Sequence, residues 1–263
     1  MRLFFELAAR SFRRTLTYRI ATLAGLITNI FFGLIRSSVL VALFGQQSEV
    51  SGYTVTSIIT YTGLSQALIA YLMLFGWYDL MDGVHTGEIS TQLLKPLSLF
   101  RYWLAHDLGR AIAHLFLRGV SIMLIYELMF DLTYPKDLGH WLALLVSLFF
   151  AWWLSMVWRF LVNLAAFWSP NAQGFGRLLF FAANFFSGFM MPLGLFPDWL
   201  QTLCYLTPFP YMINVVIEIY LNIITGSELF FLLGLQLVWI LGLSLISQFI
   251  LTMGIRKLAI AGG

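Results

Sequence analysis

Four basic or imidazole side chains recur at every fourth position of one stretch of the chain, namely His106, Arg110, His114 and Arg118. Because residues four apart share a helix face, this spacing predicts a polar stripe, with Asp107 and Ser121 on the same side. Charges in hydrocarbon are costly, so the stripe should face protein or water. At about 1.5 Å per residue, Arg118 is expected near the middle of a membrane. It either lines a substrate pathway or pairs with Glu127 or Glu218.

The sequence lacks the motifs of common hydrolases. The three lysines precede Pro96, Asp137 and Leu258, and none ends a Gly-x-x-x-x-Gly-Lys-[Ser/Thr] phosphate loop. There is no His-x-x-x-His pair, only one Cys, and no Gly-x-Ser-x-Gly turn. We therefore expect no catalytic residue, metal site or cofactor on this chain, which leaves a membrane enzyme only as a lipid-modifying protein with an unrecognised site.

The composition excludes most soluble classes of protein. Of 263 residues, 60% are hydrophobic and only 10% are charged, whereas a soluble globular chain is about one-quarter charged. The net charge of +3 comes from 15 basic and 12 acidic residues, a balance too even to indicate a nucleic-acid partner. A single Cys excludes a disulfide scaffold.

Six apolar runs are long enough to cross a bilayer as helices, since a span needs about 20 residues. They cover residues 20–44, 56–78, 108–130, 140–163, 175–195 and 229–252. None has the alternating pattern of a barrel strand, so we predict an all-α polytopic membrane protein. Residues 1–263 form one transmembrane domain in this prediction: an interfacial helix over 1–19, spans one to five over 20–195, an outer segment over 196–228, and span six.

The distribution of basic residues predicts the orientation. One side of the predicted bundle carries eleven of them: Arg2, Arg10, Arg13, Arg14, Arg19, Lys95, Arg101, Arg110, Arg177, Arg256 and Lys257. The opposite side carries only Lys136. Both termini should therefore be cytoplasmic in a multi-pass protein of the membrane. Arg36 and Arg159 fall near span ends and are expected to snorkel to the interface.

The first twenty residues predict an amphipathic helix. Phe5, Ala8, Ala9, Phe12 and Leu16 share one face, and Glu6, Arg10, Arg13, Arg14 and Thr17 share the other. This pattern is typical of a helix lying on anionic lipid. The alternative is a solvated basic lead-in to the first span.

The cytoplasmic segment after the second span predicts a short exposed helix. Thr86 should cap a helix that starts near Gly87, and Pro96 should end it after Lys95, giving about three turns. Ile89, Leu93 and Leu94 would then form an apolar stripe. Because nothing else in the chain is expected to cover it, the stripe favours a partner groove, the alternative being contact with lipid headgroups.

Four of the seven prolines crowd the outer end of the fifth predicted span, at Pro192, Pro197, Pro208 and Pro210. Repeated proline breaks helix, and broken helix at membrane depth is tolerated only inside protein or along a cavity. We predict two short helices, about 198–206 and 211–223, forming a re-entrant hairpin. An interfacial loop with an aromatic belt is the alternative.

Taken together, the chain resembles a type-2 ABC export permease over nearly its whole length. Two local matches carry this resemblance in their expected topological positions. One is Gly87-Glu88-Ile89 followed by Leu93-Leu94-Lys95-Pro96-Leu97, and the other is Phe196-Pro197-Asp198-Trp199 followed by Pro208-Phe209-Pro210-Tyr211.

The resemblance implies a permease subunit that works with two ABC ATPase subunits, which hold the ATP and Mg²⁺, and with a second permease, either a copy or a related chain. It assigns ATPase coupling to Gly87, Glu88, Ile89, Gln92, Leu93, Leu94, Lys95 and Pro96. The connecting helix would present Arg10, Arg13 and Arg14. A gate or pathway would involve Phe189, Met190 and Met191, with Arg118 as a further candidate.

The implied activity is ATP-driven export of an amphiphilic, lipid-like or drug-like substrate from the cytoplasm or inner leaflet, across a bacterial inner membrane. The sequence does not select the substrate. An ion- or proton-coupled secondary transporter is the alternative, because Arg118 and Glu127 lie within spans. Such transporters usually contain paired internal repeats, and we find no repeat here.

Overall fold

The computed structural model describes residues 2–169 and 171–261, with side chains described as far as residue 257. The described chain is helical apart from one small hairpin. Its first half contains α1 (Arg2–Thr17), α2 (Arg19–Ala42), β1 (Glu49–Val50), β2 (Tyr53–Thr54), α3 (Val55–Leu72), α4 (Asp79–His85), α5 (Ile89–Leu93), α6 (Leu99–His114), a π-helical turn (Leu115–Val120) and α7 (Ser121–Met129). Its second half contains α8 (Leu138–Asn163), which continues as a 3-10 turn (Leu164–Phe167), then α9 (Ala172–Phe186), α10 (Asp198–Tyr205), α11 (Asn214–Tyr220) and α12 (Gly226–Ala261).

Five helices in the described part of the chain are long and apolar enough to cross a membrane. They cover Arg19–Ala42, Val55–Leu72, Leu99–Met129, Leu138–Phe167 and Gly226–Lys257. These correspond to five of the six predicted spans, and the helical fold class is confirmed. The third is longer than expected because α6, the π-helical turn and α7 run on without a break.

The predicted fifth span over 175–195 is not one continuous helix. α9 ends at Phe186 after 15 residues, about 22 Å at 1.5 Å per residue and shorter than a hydrocarbon core. Beyond it the backbone bonds to other elements: the Asn214 amide donates to the Ser187 carbonyl at 3.1 Å, and the Tyr61 hydroxyl donates to the Gly188 carbonyl at 2.7 Å. Gly188 has a φ of +81°, which turns the chain away from the helix axis.

The outer segment does contain two short helices, but both are shorter than predicted. α10 covers Asp198–Tyr205, and α11 covers Asn214–Tyr220 rather than 211–223, because a 3-10 turn occupies Pro210–Met212. All seven residues of α11 are buried. α11 is therefore a packed element of the core, in contact with α8 and α3.

α3 lies at the centre of the bundle, where it contacts α2, α6, α7, α8 and α11. Its start is fixed by a hairpin that the sequence analysis missed, in which Ser51 (φ +50°) and Gly52 (φ +82°) form the turn. Thr54 then caps α3: the Ser57 amide donates to Thr54 Oγ1 at 3.2 Å, and the Thr54 amide donates to Ser57 Oγ at 2.8 Å. This reciprocal pairing satisfies two amides that a helix start otherwise leaves open.

Candidate functional site

The carboxylate of Asp107 in α6 is the centre of a buried ionic network. Arg159 of α8 donates to both of its oxygens, at 3.0 and 2.8 Å, and Arg110 Nε donates to Oδ1 at 2.8 Å. Trp152 Nε1 also donates to Oδ2 at 2.8 Å. Because a bidentate guanidinium pair has fixed geometry, this network sets the position of α6 against α8.

The same network also binds the last carbonyl groups of α3, at its C-terminal end. Arg110 donates to the carbonyls of Ala70 and Tyr71, at 2.6 and 3.0 Å, and Ser155 Oγ donates to that of Leu72 at 2.7 Å. The last carbonyls of a helix have no partners within the helix, and a cation is favourable there. Three helices, α3, α6 and α8, are thus held at one point.

The prediction that Arg159 snorkels is wrong. Its side chain is almost fully buried, with 2% of the residue exposed, and it pairs with Asp107. Asp107 does contact the polar stripe, through Arg110, but its carboxylate also pairs with Arg159 and Trp152 of α8, which was not predicted. Trp152 and Arg159 are seven residues apart and so lie on one helix face, which is the only sequence signal for this partnership.

The other stripe residues do lie together. His106, Arg110, His114 and Arg118 line one cavity between α6, α1 and the start of α2, without Ser121. Within the described residues, Arg118 forms an ion pair with neither Glu127 nor Glu218. Instead its Nη2 donates to the Ala21 carbonyl at 2.9 Å, and its guanidinium occupies the space left by Gly25, where a Cβ would lie 2.0 Å away.

The predicted coupling segment is organised differently from the expectation. Thr86 does not cap a helix at Gly87; it ends α4, and its hydroxyl donates to the Asp82 carbonyl at 2.9 Å. Gly87 then reverses the chain with a φ of +76°. α5 has only 5 residues instead of about three turns, because α4 uses the residues before Gly87 and the chain leaves the helix at Leu94.

The expected apolar stripe on this segment is split between core and surface. Ile89 is fully buried and Leu93 is partly buried, because α4, absent from the sequence prediction, packs over α5. Gln92 is buried as well, whereas Leu94 is 86% exposed. The exposed surface of this segment consists of Gly87, Glu88, Ser90, Thr91, Leu94, Lys95 and Pro96, which we call the α5 surface.

Side-chain bonds hold the α5 surface to the membrane helices. Asn163 of α8 donates to the Trp77 carbonyl at 2.7 Å and accepts from the Met81 amide at 3.1 Å. Gln173 of α9 donates to Asp82 Oδ1 at 2.5 Å. These bonds fix α4 to both α8 and α9, and α5 contacts α4.

The first helix packs on α6 with only part of its predicted apolar face. Ala8 and Ser11 are buried against α6, while Phe5, Ala9 and Leu16 of the predicted apolar face remain exposed. Arg10, Arg13 and Arg14 are exposed. The contact is close enough that a Cβ on Gly109 would lie 1.9 Å from the Ala8 carbonyl oxygen. Small residues at both positions made this approach possible, but their pairing has no signal in the sequence.

Replacing Gly109 by alanine should therefore separate α1 from α6. The contact is with backbone, which cannot rotate away, and overpacking of this kind costs about 1–3 kcal/mol. We expect trypsin to cleave after Arg10, Arg13 and Arg14 several-fold faster in the purified variant. Gly234→Ala is the matched control, because a Cβ there meets nothing within 4 Å. Equal cleavage of the two variants would contradict the close contact.

The predicted gate residues occupy three different environments. Phe189 is buried against the Phe75 ring, with ring centres 5.7 Å apart, whereas Met190 is 44% exposed and Met191 is partly buried. Arg36 does not snorkel freely: it donates to the Phe189 carbonyl and, at 3.0 Å, to the Met190 carbonyl. Its guanidinium carbon also lies 4.5 Å from the centre of the Phe189 ring.

A second buried polar cluster binds the backbone of residues 188–193, which follow α9. The Tyr61 hydroxyl, which donates to the Gly188 carbonyl, lies 2.9 Å from Asn214 Oδ1, and the Leu193 amide donates to the same oxygen at 3.1 Å. Nearby, the Tyr53 hydroxyl donates to Glu218 Oε1 at 2.5 Å. Burial of this carboxyl raises the pKa of Glu218 above its ordinary value, partly opposed by the hydrogen bond from Tyr53.

An apolar cavity of about 330 Å³ lies beside the π-helical turn. It is lined mainly by α3, α7, α8 and α11, with Glu127, Tyr134 and Trp141 among its lining residues. The Tyr134 hydroxyl donates to Glu127, and this bond raises the pKa of Tyr134 to about 12. π-helical turns are frequent at functional sites, and this one places Arg118 and the cavity on the same stretch of helix.

The chain was also compared with known proteins. No curated protein matches the sequence significantly. A sequence profile described as ABC-2 family transporter protein matches residues 27–262, a range that includes all five long apolar helices except the start of the first. Because this match covers most of the chain, the chain belongs to the ABC-2 family of transporters.

Proposed function

We propose that this protein is the permease subunit of an ATP-driven exporter. Two ABC ATPase subunits would supply the ATP and Mg²⁺, and a second permease, the same or a related chain, would complete the pathway. The observation that carries the proposal is the α5 surface: a charged and apolar patch outside the long helices, in a chain of a family whose members work with ATPase subunits.

The contacts around the α5 surface support a coupling role. Asn163 joins the α4 region to α8, Arg159 joins α8 to Asp107 on α6, and α6 carries α1 at Gly109. A displacement of α4 and α5 would therefore be transmitted to α8, α6 and α1 through packed contacts rather than loops. In this arrangement Arg10, Arg13 and Arg14 form a second exposed contact with the ATPase.

The substrate in this proposal is an amphiphilic, lipid-like or drug-like molecule taken from the cytoplasm or inner leaflet. The orientation follows the positive-inside rule, with both termini cytoplasmic in a bacterial inner membrane. Phe189, Met190 and Met191 would form the outer gate, because flexible thioether side chains adapt to varied apolar cargo.

Replacing Met190 and Met191 together by alanine should alter transport-coupled ATP hydrolysis by about twofold or more, since gate opening often limits turnover. Reconstituted complexes with each permease would be compared in an ATPase assay and an export assay. Met253→Ala on α12, where the side chain is also exposed, serves as the control. Unchanged coupling together with unchanged export would remove these residues from the gate.

The proposal as a whole is tested by purification of the tagged chain from its native membrane in mild detergent. We expect mass spectrometry to identify a copurifying protein with a Walker motif, and the sample to hydrolyse ATP in a vanadate-sensitive manner. The same sample shows whether the second permease is a different chain. A lone chain without ATPase activity would contradict the proposal and favour secondary transport.

A further inference from the structure

A cavity of about 260 Å³ lies where α1 meets α2 and faces α6 and the π-helical turn. Its lining consists of hydroxyl, basic and imidazole side chains together with Ala21: Ser11, Arg14, Thr15, Tyr18, Thr22, His106, Arg110, His114 and Arg118. None of these lining residues is a carboxylate. The cavity is therefore a concentration of hydrogen-bond donors and positive charge at the edge of the membrane helices.

The positive charge around this cavity exceeds the negative charge available to balance it. Among the described residues, Asp107 is the one carboxylate bonded to Arg110, and it is shared with Arg159, while Asp79 lies near His106 and pairs with neither arginine. Two guanidiniums thus face one carboxylate, which leaves a net charge of one on the buried network. Arg14 and Arg118 form no ion pair within the described residues, so they add to this excess.

Two buried nitrogen atoms of the lining residues also lack hydrogen-bond partners among the described residues. They are Arg118 Nε and His114 Nδ1. A buried donor without a partner costs free energy, and more so when it belongs to a charged group. Arg118 is also held within a membrane-spanning helix, where an unpaired charge is especially unfavourable. An anion with several acceptor oxygens would supply hydrogen-bond partners for these groups and balance their positive charge.

The helices around the cavity are apolar on their other faces. Ile20 and Leu23 on α2, and Ile112 and Phe116 on α6 and the π-helical turn, are exposed there. An anion that carries acyl chains therefore suits the apolar outer surface of these helices while its headgroup enters the cavity. Basic pockets between membrane helices on the cytoplasmic side suit anionic headgroups.

We propose that this cavity binds the phosphate group of an anionic phospholipid. Arg14 enters from α1, and Arg118 and His114 from the third span, so the bound phosphate joins α1 to the membrane helices. The lipid would then strengthen the same α1–α6 contact that Gly109 permits. Because Arg14 also belongs to the proposed ATPase contact, the site is tested on the permease without the ATPase.

The test uses the delipidated full-length chain in neutral detergent and measures its thermal stability as lipid is added. Phosphatidylglycerol should raise the melting temperature at low ionic strength more than phosphatidylcholine does. In the Arg14→Gln, Arg118→Gln double variant, we expect the apparent affinity for phosphatidylglycerol to fall about 25-fold, since each basic side chain near an anionic surface contributes roughly fivefold.

Two further variants keep the test decisive. Arg14→Gln alone changes an exposed residue of α1 and should fold normally, with about a fivefold loss of affinity. Arg13→Gln is the matched control, because Arg13 is equally exposed but does not line the cavity, and it should bind as the unaltered chain does. Equal losses for Arg13→Gln and Arg14→Gln would overturn the site in favour of a general surface charge effect.

Inorganic phosphate, added without lipid, separates the two sources of a phosphate group. Stabilisation by phosphatidylglycerol but not by inorganic phosphate at millimolar concentration supports a lipid headgroup. Equal stabilisation by both, lost in the double variant, supports the phosphate site and assigns it a soluble anion. Equal responses to phosphatidylglycerol and phosphatidylcholine would overturn the proposal, whatever the outcome of the ATPase copurification.

Discussion

Asp107→Ala should be the most damaging single substitution in the membrane helices. Removing this carboxylate leaves Arg110 and Arg159 buried without a counter-charge, and breaking a buried pair in this way costs about 3–5 kcal/mol. We expect the variant to be recovered from membranes in much smaller amounts and to lose its sharp thermal transition in detergent. Fluorescence-detected size-exclusion chromatography and a thermal melt would measure both effects.

Two further variants distinguish the network from a general loss of acidic charge. Asp131→Ala removes an exposed carboxylate after α7 and should leave the yield and the transition unchanged. Asp107→Leu combined with Arg110→Met and Arg159→Met removes all three charges, and should recover part of the lost stability, because apolar groups of similar size can replace a buried ionic cluster. Equal stability of Asp107→Ala and Asp131→Ala would mean that the network does not hold these helices.

Glu88→Lys should weaken association with the ATPase by about tenfold or more, since reversing a charge in an interface with complementary charges costs several kcal/mol. The side chain is exposed at the start of α5, so the folding of the permease should not change. Leu94→Asp, at the most exposed large side chain of this segment, should have a similar effect by removing an apolar contact. The measurement is the ratio of ATPase to permease after copurification from membranes containing both chains.

The matched control for charge reversal is Glu49→Lys. Glu49 is also exposed but lies in the hairpin before α3, at the predicted outer end of the bundle. It should leave the ATPase ratio unchanged. If Glu88→Lys and Leu94→Asp both copurify with a normal amount of ATPase, the α5 surface is not the docking site, and the exposed arginines of α1 would become the next region to examine.

The spans could be predicted from sequence because a single physical requirement fixes them. A segment in hydrocarbon must bond its own backbone and present apolar side chains along about 20 residues. Five of the six predicted stretches accordingly match long apolar helices. The exception, 175–195, was apolar enough, but the Asn214 amide donates to the Ser187 carbonyl and the Tyr61 hydroxyl donates to the Gly188 carbonyl. Hydropathy contains no information about such distant partners.

The short helix α5 shows the same limit of sequence prediction on a local scale. A short helix was predicted from near Gly87 to Lys95, and the helix found is shorter, from Ile89 to Leu93. The prediction that Thr86 caps the start of this helix was wrong, because its hydroxyl donates to the Asp82 carbonyl in α4 rather than accepting from α5. The burial of Ile89 could not be predicted either, since it depends on α4 packing over α5.

The sequence by itself determined that this is a helical membrane protein of the ABC-2 family, where its long apolar helices lie, and which charged residues stand inside them. Composition, hydropathy and local motifs suffice for this because the bilayer constrains each segment separately. Only the tertiary structure decided the partners: Asp107 with Arg159 of α8 as well as Arg110 of the stripe, Arg118 with the Ala21 carbonyl instead of an acid, and Gly109 with the backbone of Ala8. These contacts join residues up to about a hundred positions apart, and their geometry exists only once the helices have packed.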